Sequence, residues 1–324
     1  MVANLYLHPN AFEYNGVDSR QAVKDKLVAL VGDMKEVVYL NNEENIFKLT
    51  NTFAETEIFE DESIVDFVAS ELGYEERGIF FTMMANIADD FEGLSFDQLK
   101  EKCRYDSQEK DVNSIVILNN PQDLPEKAGD AVRKDYISFD VYELVYNKHS
   151  WLHLRRQILG NHPKDPRSFI HECRKYFPNL VFHDNCVISL DDGVWKYLEM
   201  VPRRIVYYLA CLNDKFEEVR KKFGKSNPND ILANFSGIFG LDRSGSLQQN
   251  PDKKSAITFG FKSETDGKVY PVLCEPHLKI DHVDSNQKVR NINTRRFNPR
   301  IYFCYSSPEI ANGKILIGSI GKHI

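Results

Sequence analysis

Apolar residues change their spacing along the chain, and each change marks a different kind of element. Asn4 to His8 predicts a short strand. Ser19 to Gly32 predicts a helix, with Ala22, Leu27, Leu30 and Val31 at helical spacing behind a Ser19 cap. Val37 to Leu40 is a brief β-like run. Ser63 to Leu72, Glu76 to Ala88 and Ser95 to Cys103 predict helices, with Phe67, Val68, Leu72, Ile79, Phe80 and Met83 as core candidates. Ser114 to Leu118 predicts a buried strand that ends at Asn119-Asn120-Pro121.

Beyond the polar Pro/Gly connector Pro121 to Gly129, three- and four-residue spacing takes over. It predicts helices over Asp140 to Leu159, Asp165 to Phe177, Val194 to Phe223 and Asn229 to Phe239. Asp165-Pro166 and Asn229-Asp230 open two of them, and Pro202 kinks or splits the third. Gly240 to Lys254, rich in Gly, Ser, Gln and Asn, predicts a second connector. After it come β-like segments: Ala256 to Phe261, Val269 to Val283, Pro299 to Tyr305 and Lys314 to Ile320. The turn signals Asp266-Gly267 and Asn312-Gly313, with the loop Asn291 to Arg296, make an antiparallel meander the expected arrangement. The fold class is therefore α+β. A mixed α/β region over 1–125 precedes a helical domain over 126–245 and an antiparallel β-sheet domain over 246–324.

A length of 324 residues suits two or three domains. The longest apolar runs fall short of the ~20 residues of a membrane-spanning helix, and Met1-Val2-Ala3-Asn4-Leu5 does not resemble a secretory leader. The six cysteines, Cys103, Cys173, Cys186, Cys211, Cys274 and Cys304, include no CxxC pair, which points to reduced thiols and a cytoplasmic location. Charge divides the chain. Residues 1–130 hold 11 Lys/Arg against 27 Asp/Glu, residues 131–250 hold 18 against 14, and residues 251–324 hold 12 against 7. The basic end suits a phosphate-bearing partner, RNA or another nucleic acid. The acidic front suits solubility or a protein partner.

The candidate chemistry lies in the basic end. In a strand through Cys274-Glu275-Pro276-His277-Leu278-Lys279, alternation puts Glu275, His277 and Lys279 on one face and Cys274, Leu278 and Ile280 on the other. Arg300 and Tyr302 alternate in the same way on the next strand, and Lys322 and His323 follow the last one. These seven residues form the candidate catalytic set. Metal-free RNA cleavage needs a base for the 2′-hydroxyl, a cation for the phosphorane charge and an acid for the leaving oxygen. The bland alternative is a solvated sheet face whose charges pair across strands.

Arg-Ile-Tyr-Phe followed by the closing Ile-Leu-Ile-Gly-Ser-Ile-Gly-Lys-His-Ile resembles the last strands of RelE-type ribonuclease toxins, over about the last 70 residues. That resemblance implies a small α/β sheet that cleaves mRNA without metal, commonly at the ribosome. It makes Arg300 the phosphate-stabilising arginine and gives Lys279, with His277 or His323, the acid/base roles. The chain departs from the family in having over 240 residues before the sheet, and Glu275 is no standard member of the set. A toxin-like effector of a bacterial defence system follows by analogy, with no cofactor and no metal.

A second surface is suggested by Lys148, His153, Arg155, Arg156, Lys164, Arg167, Arg174 and Lys175, with Trp151 and Tyr176 among them. Of these Arg155, Arg156, Lys164, Arg174 and Lys175, together with Arg295 and Arg296, are the candidate nucleic-acid contacts. His149 and His153 have metal-pair spacing, but Ser150 stands where an HExxH motif has Glu, so a satisfied or surface pair is the better reading. Asp266, Glu275 and Lys279 superficially match a metal-dependent restriction-nuclease core, with the Glu-to-Lys interval too long. The remaining alternative is a non-enzymatic subunit of a defence complex that binds nucleic acid or protein.

Overall fold

The computed structural model describes residues 2–40, 44–85, 94–105, 111–118, 144–191, 195, 201–281, 299–305 and 308–324. Among them, 2–118 and 144–158 form one compact unit and 159–324 the other. The fold is α+β, as the pattern of spacings predicts.

In the first unit, strand β1 (Val2–Leu7) is followed by helix α1 (Arg20–Leu40), β2 (Asn45–Leu49), a small hairpin of β3 (Glu57–Phe59) and β4 (Glu62–Ser63), and helices α2 (Ile64–Glu71), α3 (Tyr74–Ala85) and α4 (Phe96–Tyr105). Then come β5 (Asp111–Val116), β6 (Leu144–Val145) and helix α5 (Lys148–Asn161). The main sheet runs β2-β1-β5-β6, every pairing parallel. Parallel strands are covered on both faces, which is why β1 is buried from Ala3 to Leu7 without alternation. Asn4 is tolerated inside because its amide donates to Asn113 Oδ1 at 3.2 Å.

Local signals set the helix starts. The Ser19 hydroxyl accepts from the Ala22 N–H and the Ser63 hydroxyl from the Asp66 N–H. Two expectations change. Val37 to Leu40 continues α1, because Val23, Leu27, Leu30, Val31, Met34 and Val37 form one buried helical stripe that outweighs β-branched propensity. The helix expected from Asp140 starts at Lys148, and Leu144–Val145 is a strand beside β5.

The second unit contains α6 (Pro166–Tyr176), β7 (Leu180–Phe182), α7 (Asn185–Asp191), α8 (Val201–Lys222), α9 (Pro228–Ile238) and β8 (Arg243–Leu247). It continues with β9 (Thr258–Lys262), β10 (Val269–Leu273), β11 (Pro276–Lys279), β12 (Arg300–Cys304), the single turn α10 (Pro308–Ala311) and β13 (Ile315–Gly321). Asp165 caps α6, its carboxylate accepting from the Arg167 and Ser168 N–H groups at 2.9 and 3.0 Å. Pro202 falls in the first turn of α8, where its missing N–H costs nothing, so α8 runs unbroken to Lys222. Asn227 rather than Asn229 caps α9. Asn229 instead accepts from the Leu247 N–H at 2.9 Å.

The five-stranded sheet runs β7-β13-β12-β11-β8. It is antiparallel except at the β7 edge, which lies parallel to β13. The expected meander is corrected in two ways. The segment from Val269 to Val283 breaks at Cys274-Glu275 into β10 and β11, which belong to different sheets, and β9 pairs with β10 alone. The Gly240 to Lys254 connector contains a sheet strand, β8. Both turn signals hold: Gly267 at φ +71° closes the β9–β10 hairpin, and Asn312-Gly313, at φ 42° and 82°, precedes β13.

The boundary expected near 245 does not divide the structure. Leu278, Ile280, Ile301, Phe303, Ile315, Ile317 and Ile320 on one sheet face share a core with Phe169, Ile205, Leu209, Phe216 and Phe235 from the helices. Helices and sheet are two layers of one unit, because neither can bury its apolar face alone. The opposite sheet face carries Tyr302 and Leu316, covered by Phe259, Phe261 and Val272 of the β9–β10 hairpin. A Cβ at Gly318 would meet Phe259 at 2.2 Å, so glycine allows the hairpin this close.

Candidate functional site

Register decides which polar groups meet. Across β8, β11 and β12, Arg243 stands opposite Lys279 and Lys279 opposite Arg300; one row further along, Ser246 stands opposite His277 and His277 opposite Tyr302. The alternation expected for His277 with Lys279 and for Arg300 with Tyr302 therefore brings these four to one face. Leu278, Ile280, Ile301 and Phe303 take the other face, in the core. His323 joins the four from beyond β13, its ring 6.3 Å from that of His277.

His277 is 4% exposed. Its Nδ1 lies 3.3 Å from the Glu275 carbonyl oxygen and its Nε2 3.2 Å from the Ser246 hydroxyl. A carbonyl only accepts, so Nδ1 carries the proton and Nε2 accepts from Ser246. Burial lowers its pKa to about 4, with Lys279, Arg300 and His323 adding repulsion. Burial also lowers Lys279, helped by Arg300 and Arg243, and lowers His323, helped by Arg300, Lys253 and Lys279. The shared direction has one leading cause, burial that strips water from the charged form, and repulsion among the neighbouring cations adds to it.

Between the unfolded histidine value of ~6.5 and about 4, the unfolded chain binds a proton at His277 that the folded chain refuses. Stability is therefore full above pH ~6.5 and declines on acidification through that window. His277→Gln is expected to flatten the decline, measured as urea midpoints from pH 7 to 4. Parallel curves for the two proteins would show that His277 does not carry it.

Other expected residues are placed differently. Glu275 lies between β10 and β11, and its carboxylate pairs with Lys254 at 3.1 Å rather than with His277 or Lys279. Cys274 is buried on the hairpin side, opposite to expectation, because the chain turns between the two strands. Tyr302 is fully buried; its hydroxyl accepts from the Ile324 N–H at 3.2 Å and offers no surface to a substrate. Lys322 is half-buried beside the exposed His323. Asp266 accepts from the Tyr270 hydroxyl at 2.8 Å in the hairpin turn, so Asp266, Glu275 and Lys279 do not gather as a restriction-type core.

The expected nucleic-acid surface is also corrected. Arg155 and Arg156 are 0% and 1% exposed, and Arg155 bonds the carbonyl and carboxylate of Glu44 at 3.0 and 3.3 Å. Most of α5 is buried, and both guanidinium groups are withdrawn from solvent. His153 lies in the same helix at 3.2 Å from Gln157. Lys164 and Lys175 are exposed, and Arg174 pairs with Asp184 at 2.6 Å. Arg295 and Arg296 lie outside the described residues.

Arg243 and Ser246 are functional candidates that the sequence pattern missed, since β8 lacks apolar alternation. Behind them, the Tyr208 hydroxyl donates to the Lys279 carbonyl at 3.3 Å and accepts from the Asp242 N–H at 2.7 Å, tying α8 to both strands. Asp281 pairs with Arg243 at 2.6 Å and Asp242 with Arg204 at 3.5 Å. Among the described residues, no group of His, Cys, Asp and Glu is arranged to hold a metal ion, and no helix is long and apolar enough to cross a membrane. No protein-family model, curated protein or solved structure matches the chain.

Proposed function

We propose that this cationic row, reached from solvent at Arg243 and Lys279 beside the 9% exposed Arg300, binds an RNA phosphodiester and cleaves it without a metal, as a toxin-like ribonuclease would. One observation carries the reading: Arg243, Lys279 and Arg300 stand directly opposite one another on three adjacent strands. Like charges in that relation are destabilising; Asp281 offsets the Arg243 end of the row, and an anion seated at Lys279 and Arg300 would offset the rest. Lys279 and Arg300 would hold the non-bridging oxygens, the guanidinium contributing a planar fork. His323, the exposed imidazole, would take the 2′-hydroxyl proton, and the Lys279 ammonium would protonate the departing 5′ oxygen. The products are a 2′,3′-cyclic phosphate and a free 5′-hydroxyl. His277, with both ring nitrogens engaged, orients the row.

A second reading is favoured by that last fact together with the buried Tyr302 hydroxyl: the face binds RNA without cleaving it, as part of an assembly. All six cysteines are free thiols, five of them buried, which agrees with a reducing cytoplasm for either reading.

The test uses labelled single-stranded RNA and full-length protein in the presence of a chelator. Affinity is expected to fall with salt, and Lys279→Ala is expected to weaken binding roughly tenfold and reduce the salt slope by about one. His323→Ala is expected to bind normally yet cleave at least ~100-fold more slowly. Salt-sensitive binding with no cleavage by any of the proteins would establish the second reading. Salt-independent or undetectable binding would end both.

A further inference from the structure

Helix α3 is apolar on two sides. Ile79, Phe80 and Met83 face the interior, while Tyr74 is 89% and Phe81 39% exposed. The outward stripe is Tyr74, Gly78, Phe81 and Ala85, spaced four, three and four, so it lies along one line of the helix. Large and small residues alternate along it. A Cβ built on Gly78 meets nothing within 4 Å, and Gly78 lines an open groove of about 630 Å³ together with Lys35, Tyr74, Glu75, Arg77 and Phe81.

We infer that this stripe is the contact surface for a second copy of the chain, with the two α3 helices antiparallel about a two-fold axis. Turning the stripe end for end places Phe81 over Gly78 of the copy and Tyr74 over its Ala85. Every large residue meets a small one, four times by symmetry, as an isologous interface requires. The flanks agree in charge. Glu75, already paired with Lys35, meets the uncharged Thr82, and Arg77 meets Met84, so no like charges are brought together. A basic partner would find its carboxylates elsewhere on the acidic front of the chain, whereas this groove balances Lys35 and Arg77 against Glu75. The surface is independent of the RNA site. A single pair of 12-residue helices lies at the small end of specific interfaces, so the dimer dissociates at concentrations on the order of micromolar.

Sedimentation of the full chain over a concentration series tests the register. The wild-type protein is expected to show a reversible monomer–dimer equilibrium. Gly78→Phe projects into the groove from a position where a Cβ meets nothing within 4 Å, and it is expected to weaken dimerisation at least about tenfold, as is Phe81→Ala. Combining them as G78F/F81A restores large against small and is expected to return the constant to within about threefold of wild type. Circular dichroism melts confirm that each variant folds. A wild-type chain that stays monomeric overturns the inference and leaves the stripe to a helix of another protein. A dimer indifferent to Gly78→Phe, or one that the double variant fails to restore, overturns it as well.

Discussion

Residues 246–324 expressed alone are expected to remain unfolded, although they contain all the candidate catalytic residues. The fragment lacks β7 and all but the end of β8, the two edge strands of the sheet. It would also expose Leu278, Ile280, Ile301, Phe303, Ile315, Ile317 and Ile320, which the helices bury completely or nearly so. Burying a side chain of this size contributes about 1.5–3 kcal/mol, so losing seven removes roughly 10–20 kcal/mol, as much as or more than the ~5–15 kcal/mol that holds a whole domain together. Far-UV circular dichroism and urea titration are the measurements. A sigmoidal transition with the slope of a folded domain of that length would show that the sheet does not depend on its helical layer.

Phe216→Ala should be the most damaging single truncation in that shared layer, at about 3–5 kcal/mol. The ring is fully buried on α8. It meets Phe235 of α9 edge-on at 5.0 Å, Phe303 of β12 edge-on at 5.5 Å and Tyr305 in a stack at 5.4 Å. Removing it leaves a cavity at the junction of two helices and the strand that carries Arg300. Phe216→Leu retains much of the volume and is expected to cost clearly less. Urea midpoints at constant slope report the difference. A cost below about 1 kcal/mol for the alanine variant would mean that this junction is not a packed core.

Both results bear on the site. Arg300, itself 9% exposed, is held on the face away from the helices by a strand whose residues on the other face, Ile301 and Phe303, are fixed in the helical layer. The Tyr208 hydroxyl reaches from α8 to the backbone at Lys279. The cations stand opposite one another because Asp281 pairs with Arg243 and the core beneath the row offsets the remaining repulsion.

What could be read from residue order was whatever depends on near neighbours. Caps at Ser19 and Asp165, helical stripes, the Asp266-Gly267 and Asn312-Gly313 turns, and the shared face of His277 with Lys279 each follow from interactions within a few residues. Short strands escaped where their stability comes from a distant partner. β2, β7 and β8 carry little apolar alternation and are ordered by β1, β13 and β11. The same limit hid Arg243 and Ser246.

Charge alone misled at Arg155 and Arg156, because a basic residue on a helix does not state which way the helix faces. Glu275 left the predicted set for a related reason: alternation holds only while the strand continues, and the chain breaks between β10 and β11. Residue order thus carried the α+β class, most helices and the shared faces of His277 with Lys279 and of Arg300 with Tyr302. Only tertiary structure decided that helices and sheet share one core, which charges are buried, and that three cations meet across strands. Register and burial are set by contacts between residues far apart in the chain, and no local pattern encodes them.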